Sequence, residues 1–161
     1  MTVLSAQSIR ARGIFTPFHE RTVSSGMTFG LGPAGYDVRI AETVTLGFHE
    51  KAPGMWRNNL SILASTMEHF NMPDDCLAYV KDKSTWARKF VLVQNTVIEP
   101  GWRGHLTLEI TYEGEQGSLT ITEGTPIAQI IFHKLDEPTE KPYSGKYQDQ
   151  AAGPQPAILE N

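Results

Sequence analysis

IEPGWRGHLTLEITY, residues 98–112, runs from a turn-rich opening into a stretch of strictly alternating polarity. From His105 onward an extended chain puts Leu106, Leu108, Ile110 and Tyr112 on one face. His105, Thr107, Glu109 and Thr111 take the other. That is the pattern of a half-buried antiparallel strand, one side feeding a core and the other facing away from it. In such a strand taken alone, Glu109 belongs to the wet side, where charged side chains ordinarily stay. Just ahead, Gly101 and Gly104 of PGWRG permit the tight turn of a plain hairpin connection.

Outward from this strand the chain repeats the theme without any internal repeat or low-complexity block. GLGPAGYDVRI (30–40) leaves a glycine-rich turn and enters a strand. TVTLGFHE (43–50), LSILAST (60–66), CLAYVKD (76–82) and FVLVQNTVIEP (90–100) follow. LTLEITYE (106–113), SLTITEG (118–124) and PIAQIIFHKL (126–135) complete the series. Short β-branched and apolar segments punctuated by Gly and Pro indicate a mainly β protein, a sandwich or barrel. Two short helices interrupt it. Ser5 to Arg12 has Ser5 as N-cap and Gly13 as stop, and KDKSTWARKF (81–90) has Ser84 or Thr85 capping a turn through Trp86, Ala87 and Arg88. Beyond about Glu137 the composition shifts to Pro, Gly, Gln and Lys, a tail that cannot sustain a core of its own.

With 161 residues the chain has the length of a single domain and can bury a core without staples. A net charge of −4 opposes binding to a nucleic-acid backbone, which needs a basic face, although a few placed cations can hold one nucleotide. Cys76 is the only cysteine, so no internal disulfide forms, which fits a reducing compartment. There is no signal-peptide core and no apolar run near the roughly 18 residues of a membrane span. The expectation is a soluble cytoplasmic protein with neither nucleic acid nor membrane as partner.

The chemistry on offer is that of carboxylates, hydroxyls, cations and water. A zinc deaminase site needs a paired-cysteine motif, which a single cysteine cannot build. His19, His49, His69, His105 and His133 show no H-E-x-x-H spacing. There is no P-loop lysine motif and no nucleophile elbow. In KSTWAR, Ser84 and Arg88 stand four residues apart, the spacing that shares a helix face, and the leading amides would suit an anion. In the tail, Tyr143, Lys146 and Gln150 offer a ring, a cation and an amide.

In order and spacing these segments resemble the dCTP deaminase branch of the dUTPase-like trimeric nucleotide enzymes, over nearly the whole chain. VLSAQSIRARG is similar to the family's N-terminal helix, GPAGYDVRI to its early strand, and LASTMEHFNMPDD to the segment leading into the helix motif. KSTWAR resembles the R-S-S-x-A-R signature, IEPGWRGHLTLE the I-D-P-G-x-x-G-x-x-x-L-E signature, and YSGKYQDQAAGP the C-terminal segment that closes over nucleotide. The resemblance implies a distorted β-barrel or jelly roll assembled as a homotrimer, with sites between subunits. It implies one domain over 1–161, with a barrel core at 1–137 and a nucleotide-closing segment at 138–161. Glu109 would be the catalytic acid/base, with Ser84 and Arg88 as catalytic partners. Nucleotide contacts would fall on Lys83, Ser84, Thr85, Trp86, Ala87, Arg88, Glu99, Thr107, Leu108, Glu109, Tyr143, Lys146 and Gln150. The implied reaction is hydrolysis of dCTP to dUTP and ammonia, with Mg²⁺ carried by the triphosphate, no zinc, no metal ligand from the protein, and inhibition by dTTP left open.

The residues fit that chemistry. Deamination at C4 of cytosine needs a delivered water, a proton on N3 and a proton for departing ammonia, all within reach of one carboxylate that accepts and later donates. Ser84 can hold the water, and a nearby Arg88 favours the ionised carboxylate that burial opposes. Three positions depart from the family pattern. Lys83 replaces an arginine fork by a point charge. Glu99 stands for the usual aspartate, and Gly35 for a small polar residue. The first two bear on affinity and on any second diphosphatase activity. The alternatives are a bifunctional deaminase–diphosphatase or dUTPase-like pyrophosphatase and, from another class, a non-catalytic nucleotide-binding trimer.

Overall fold

The computed structural model describes residues 2–115 and 117–159. Its largest sheet has seven strands. In order across it lie β11 (Val97–Ile98), β9 (Cys76–Asp82), β14 (Pro126–Lys134), β5 (Gly35–Arg39), β4 (Met27–Gly32) and β3 (Thr22–Ser24), and β1 (Thr2–Val3) also pairs with β14. A second sheet runs β10 (Val91–Val93), β12 (Arg103–Tyr112), β8 (Ser61–Asn71) and β2 (Phe15–Thr16). A third runs β13 (Ser118–Ile121), β6 (Val44–Ala52) and β7 (Met55–Asn59). Every strand pairing among them is antiparallel.

Apolar faces from the first two sheets meet in one core. Phe15 stacks on Tyr36 with centroids 3.8 Å apart and meets Phe70 edge-on at 4.8 Å, geometries that aromatic quadrupoles favour. The Tyr36 hydroxyl accepts the His19 N–H at 2.9 Å, and burial pushes that phenol up to about 12. An ion pair lies against this core. The fully buried Glu68 takes the Arg39 guanidinium at 2.8 Å and the Arg39 N–H at 2.9 Å, which satisfies a carboxylate that would be costly to bury alone.

Two sequence expectations are corrected, and one cap holds by position only. FVLVQNTVIEP is two strands in different sheets, because the Val93 N–H is taken by the Asp82 carboxylate at 2.8 Å and the chain then turns, Thr96 N–H to Gln94 C=O. The second helix, α2 (Ser84–Ala87), has Lys83 as its N-cap, and neither Ser84 nor Thr85 caps it. In α1 (Ala6–Ala11) Ser5 is the N-cap residue, yet its hydroxyl lies 3.3 Å from that of Ser8 instead of capping an amide.

Candidate functional site

β12 carries out its alternation. Leu108, Ile110 and Tyr112 are buried, while Thr107 and Glu109 are half-buried on the opposite side. The two polar side chains open into a cavity of about 430 Å³, shared with Glu99 at its rim, Leu63 and Ile98 on its apolar wall, and Tyr143 and Gln150 from the tail. The strand is pinned on both edges, by β10 and by β8, so Glu109 is held by ladder bonds rather than by a loop. Leu106 breaks the expected alternation. It packs against the core and also lines the cavity, at the point where the β8–β12 register shifts.

PGWRG, whose two glycines permit a tight turn, is the seat of the tail. The Trp102 indole N–H donates to the Tyr147 carbonyl at 2.7 Å, and the Gln148 amide donates to the Gly101 carbonyl and accepts the Arg103 N–H, both at 3.0 Å. The Arg103 guanidinium grips Asp149 through two bonds of 2.8 and 3.0 Å and holds that carboxyl below its usual range. Gln150 pairs as a parallel bridge with Gly104 and donates from its side chain to the Thr107 hydroxyl at 2.5 Å; the Gln155 N–H reaches the same hydroxyl at 3.0 Å. Both glycines are required. Each has positive φ, and a Cβ would stand 2.6 Å from Pro142 at Gly101 and 2.6 Å from the Gln150 backbone nitrogen at Gly104.

The tail residues expected to face nucleotide therefore divide. Tyr143 and Gln150 line the Glu109 cavity, while Lys146 is exposed with its ammonium over the Tyr147 ring, 5.4 Å from the centroid. Trp102, Tyr147 and Gln155 also line that cavity and were missed. Trp102 sits inside the signature itself and Tyr147 beside Lys146, but nothing in their spacing marks them. The last two residues of the 138–161 segment lie outside the described residues.

The helix signature is placed elsewhere. Lys83 reaches the Asp37 carboxylate at 2.5 Å and the Thr28 hydroxyl at 3.4 Å, with the Lys83 and Asp37 side chains mostly buried. These residues and Ser84 border a second, polar cavity of about 320 Å³, where the other Asp37 oxygen is buried with no hydrogen-bond partner among the described residues. Arg88 borders a third cavity, of about 590 Å³, beside Phe90, Tyr112 and Glu113. Trp86 points into the core, its indole N–H on the Pro126 carbonyl at 2.6 Å, and Leu108 is likewise buried. Any nucleotide contact at these two positions must come from backbone. Within one chain, then, Glu109, Thr107, Glu99, Tyr143 and Gln150 are brought together, and Lys83, Ser84 and Arg88 are not among them. Among the described residues no group of three or more His, Cys, Asp or Glu side chains is arranged to hold a metal ion.

The model of the family described as "dCTP deaminase-like" matches residues 55–135. A Campylobacter hominis protein named dCTP deaminase is 36% identical over 178 residues, covering 96% of this chain and 92% of its own. One from Campylobacter curvus is 34% identical over 172 residues, covering 92% and 91%. Among solved structures, the native EIAV dUTPase superposes with a TM-score of 0.52 at 18% identity, over 71% of this chain and 87% of that one. A mutant dUTPase from phage phi11 of S. aureus, described with a structural Mg(II) ion, gives 0.54 at 17% identity over 81% and 92%. The fold is thus dUTPase-like, the distorted barrel expected from the sequence.

Proposed function

The chain belongs to the dCTP deaminase family, and on that premise we propose that it hydrolyses dCTP to dUTP and ammonia without zinc, using Glu109 as acid and base. The observation that carries the reading is Glu109 itself. It is a carboxylate on a strand pinned at both edges, half-buried in a cavity whose walls are largely apolar and whose tail residues are polar. A cytosine ring suits such walls, and water excluded from bulk beside one carboxylate suits the proton movements. Glu109 takes a proton from the attacking water and delivers it to N3; it then takes the proton of the new C4 hydroxyl as the carbonyl forms and passes it to the amino group, which leaves as ammonia. The Thr107 hydroxyl and the Gln150 amide, already bonded to each other, offer polar groups for the sugar or base edge.

Ser84 and Arg88 open into other cavities of the same chain, and the reading assigns them to the Glu109 site of a neighbouring copy in a homotrimer. There Ser84 holds the water and Arg88 pairs with the carboxylate. The polar cavity at Lys83, Thr28 and Ser84 then receives the triphosphate, with Mg²⁺ arriving as part of the nucleotide. For that, Lys83 exchanges some of its hold on Asp37 for phosphate. The segment 138–161 acts as the closing piece over nucleotide, and the reaction belongs to the cytoplasm.

The test is direct. Pure protein incubated with dCTP and Mg²⁺ is followed by chromatography of the nucleotides and assay of ammonia. Stoichiometric dUTP and ammonia are expected. Unchanged dCTP overturns the reading, and accumulation of dUMP shows a second, diphosphatase activity.

A further inference from the structure

β8 and β12 do not pair evenly. His105 stands opposite His69 and Thr107 opposite Ser65, so Thr66, Met67 and Glu68 together face Leu106 alone. Had the pairing continued unbroken from His105, Glu109 would lie opposite Ser65; with the shift it lies opposite Leu63, which lines the cavity. A bulge of this kind re-aims side chains, and it leaves backbone groups without ladder partners that something else must satisfy. Here one side chain does so.

Thr66 is fully buried, and its hydroxyl uses both of its capacities. It accepts the Leu106 N–H at 3.0 Å and donates to the Glu68 carbonyl at 2.8 Å. Its own carbonyl accepts from the His105 ring at 3.1 Å, which requires the proton on Nδ1. Thr66 therefore ties down His105 and Leu106, two and one positions before Thr107, where the register resumes. Beneath it the Glu68–Arg39 pair, with Arg39 also 3.1 Å from His19, fixes the bulged strand to β5.

We propose that Thr66 is a positioning residue for the reaction: its hydroxyl holds the register shift that sets Thr107 and Glu109 in the cavity. It touches neither of them and acts through the Leu106 amide. The inference rests on the reading of Glu109 as the acid/base. Valine has the shape of threonine without the hydroxyl, so Thr66→Val strands the Leu106 N–H and the Glu68 carbonyl while leaving packing intact. The amide must then find another acceptor, and β12 moves with it.

The experiment measures kcat and KM for dCTP in Thr66→Val, Thr66→Ser and Glu109→Gln, with thermal unfolding of each. Since a displacement of about 1 Å can cost up to about 10²-fold in rate, Thr66→Val should lose at least about tenfold in kcat with KM within about threefold. Thr66→Ser, which restores the hydroxyl, should return kcat to within about threefold of wild type at the same level of approximation. Wild-type kcat in the valine variant overturns the proposal, and so do equal losses with valine and serine, which would make the site one of packing. Should valine prevent folding, the serine variant still decides, because a folded serine variant that has lost kcat contradicts the role given to the hydroxyl. Glu109→Gln separates the two readings. Turnover that survives there removes the premise, whereas turnover lost there but kept in Thr66→Val overturns the positioning role alone.

Discussion

Glu109 and the Ser84–Arg88 turn are held by different means, and the difference governs what one chain can assemble. Glu109 lies within a ten-residue strand paired on both sides, and strand alternation collects Thr107 and Glu109 on one face and delivers them to one cavity. In α2 each residue advances roughly 100°, which turns Trp86 away from Ser84, while the long side chain of the C-cap Arg88, donating to the Ser84 carbonyl at 3.3 Å, borders a different opening. Ser84 goes to the polar cavity, Trp86 into the core and Arg88 to a third opening. A strand gathers; a single helical turn distributes. Within one chain Ser84 and Arg88 thus line other cavities than Glu109 does, and the proposed trimer would bring them to it from a neighbour.

The largest expected effect attacks the strand half. Glu109→Gln should lower kcat by at least about 10²–10⁴-fold, the usual worth of general acid–base catalysis, while dCTP binding measured by calorimetry persists. Retention of a tenth of wild-type turnover would move the acid/base elsewhere. Next comes the tail. Deleting residues 141–161 removes Tyr143 and Gln150 from the cavity and frees the Thr107 hydroxyl, so turnover should fall by more than about tenfold, as expected when a closing element that excludes water is lost. The sheets should stay folded by circular dichroism, since their core draws only partly on Tyr143. Full turnover after truncation would leave the site complete without its tail.

The smallest effect is at the rim. The Arg103–Asp149 clamp is exposed, and Arg103→Ala should raise KM by less than about threefold, the more so in low salt. Its pH dependence has a definite sign. Asp149 is held below the ordinary aspartate value by the Arg103 hydrogen bonds, so the clamp is present above about pH 4 and is lost as pH falls through the lowered value. A wild-type KM that worsens below pH 4, with the Arg103→Ala variant lacking that step, is the expected result. An identical profile in both proteins would remove the clamp from the binding account.

Much of the fold was legible where pattern is local. CLAYVKD became β9 over Cys76–Asp82, and PIAQIIFHKL became β14 over Pro126–Lys134, because alternation and flanking turns both act within the segment. FVLVQNTVIEP was not legible as two strands, since the Asp82 carboxylate that claims the Val93 amide lies eleven positions away in sequence. The cap of α2 was misjudged because Ser84 enters the helix and leaves the cap to Lys83, whose side chain goes to Asp37, 46 positions distant. In the site, Glu109 and Thr107 were readable from alternation, with their chemistry implied by resemblance. The tail's seat was not, because Trp102, Gln148 and Gln150 grip backbone carbonyls, amides and a hydroxyl, and composition does not encode such partners.

The division of the site between copies is tested most directly by mixing two inactive variants, Glu109→Gln and Arg88→Ala, unfolding and refolding them together, and measuring dCTP turnover. If Glu109 of one copy works with Arg88 of another, random assortment in a symmetric oligomer leaves about a quarter of the sites with both groups intact, and turnover should return to about that fraction of wild type. No recovery above the separate variants, with mixed oligomers verified by mass spectrometry, would contradict the account and place both groups in one chain's site.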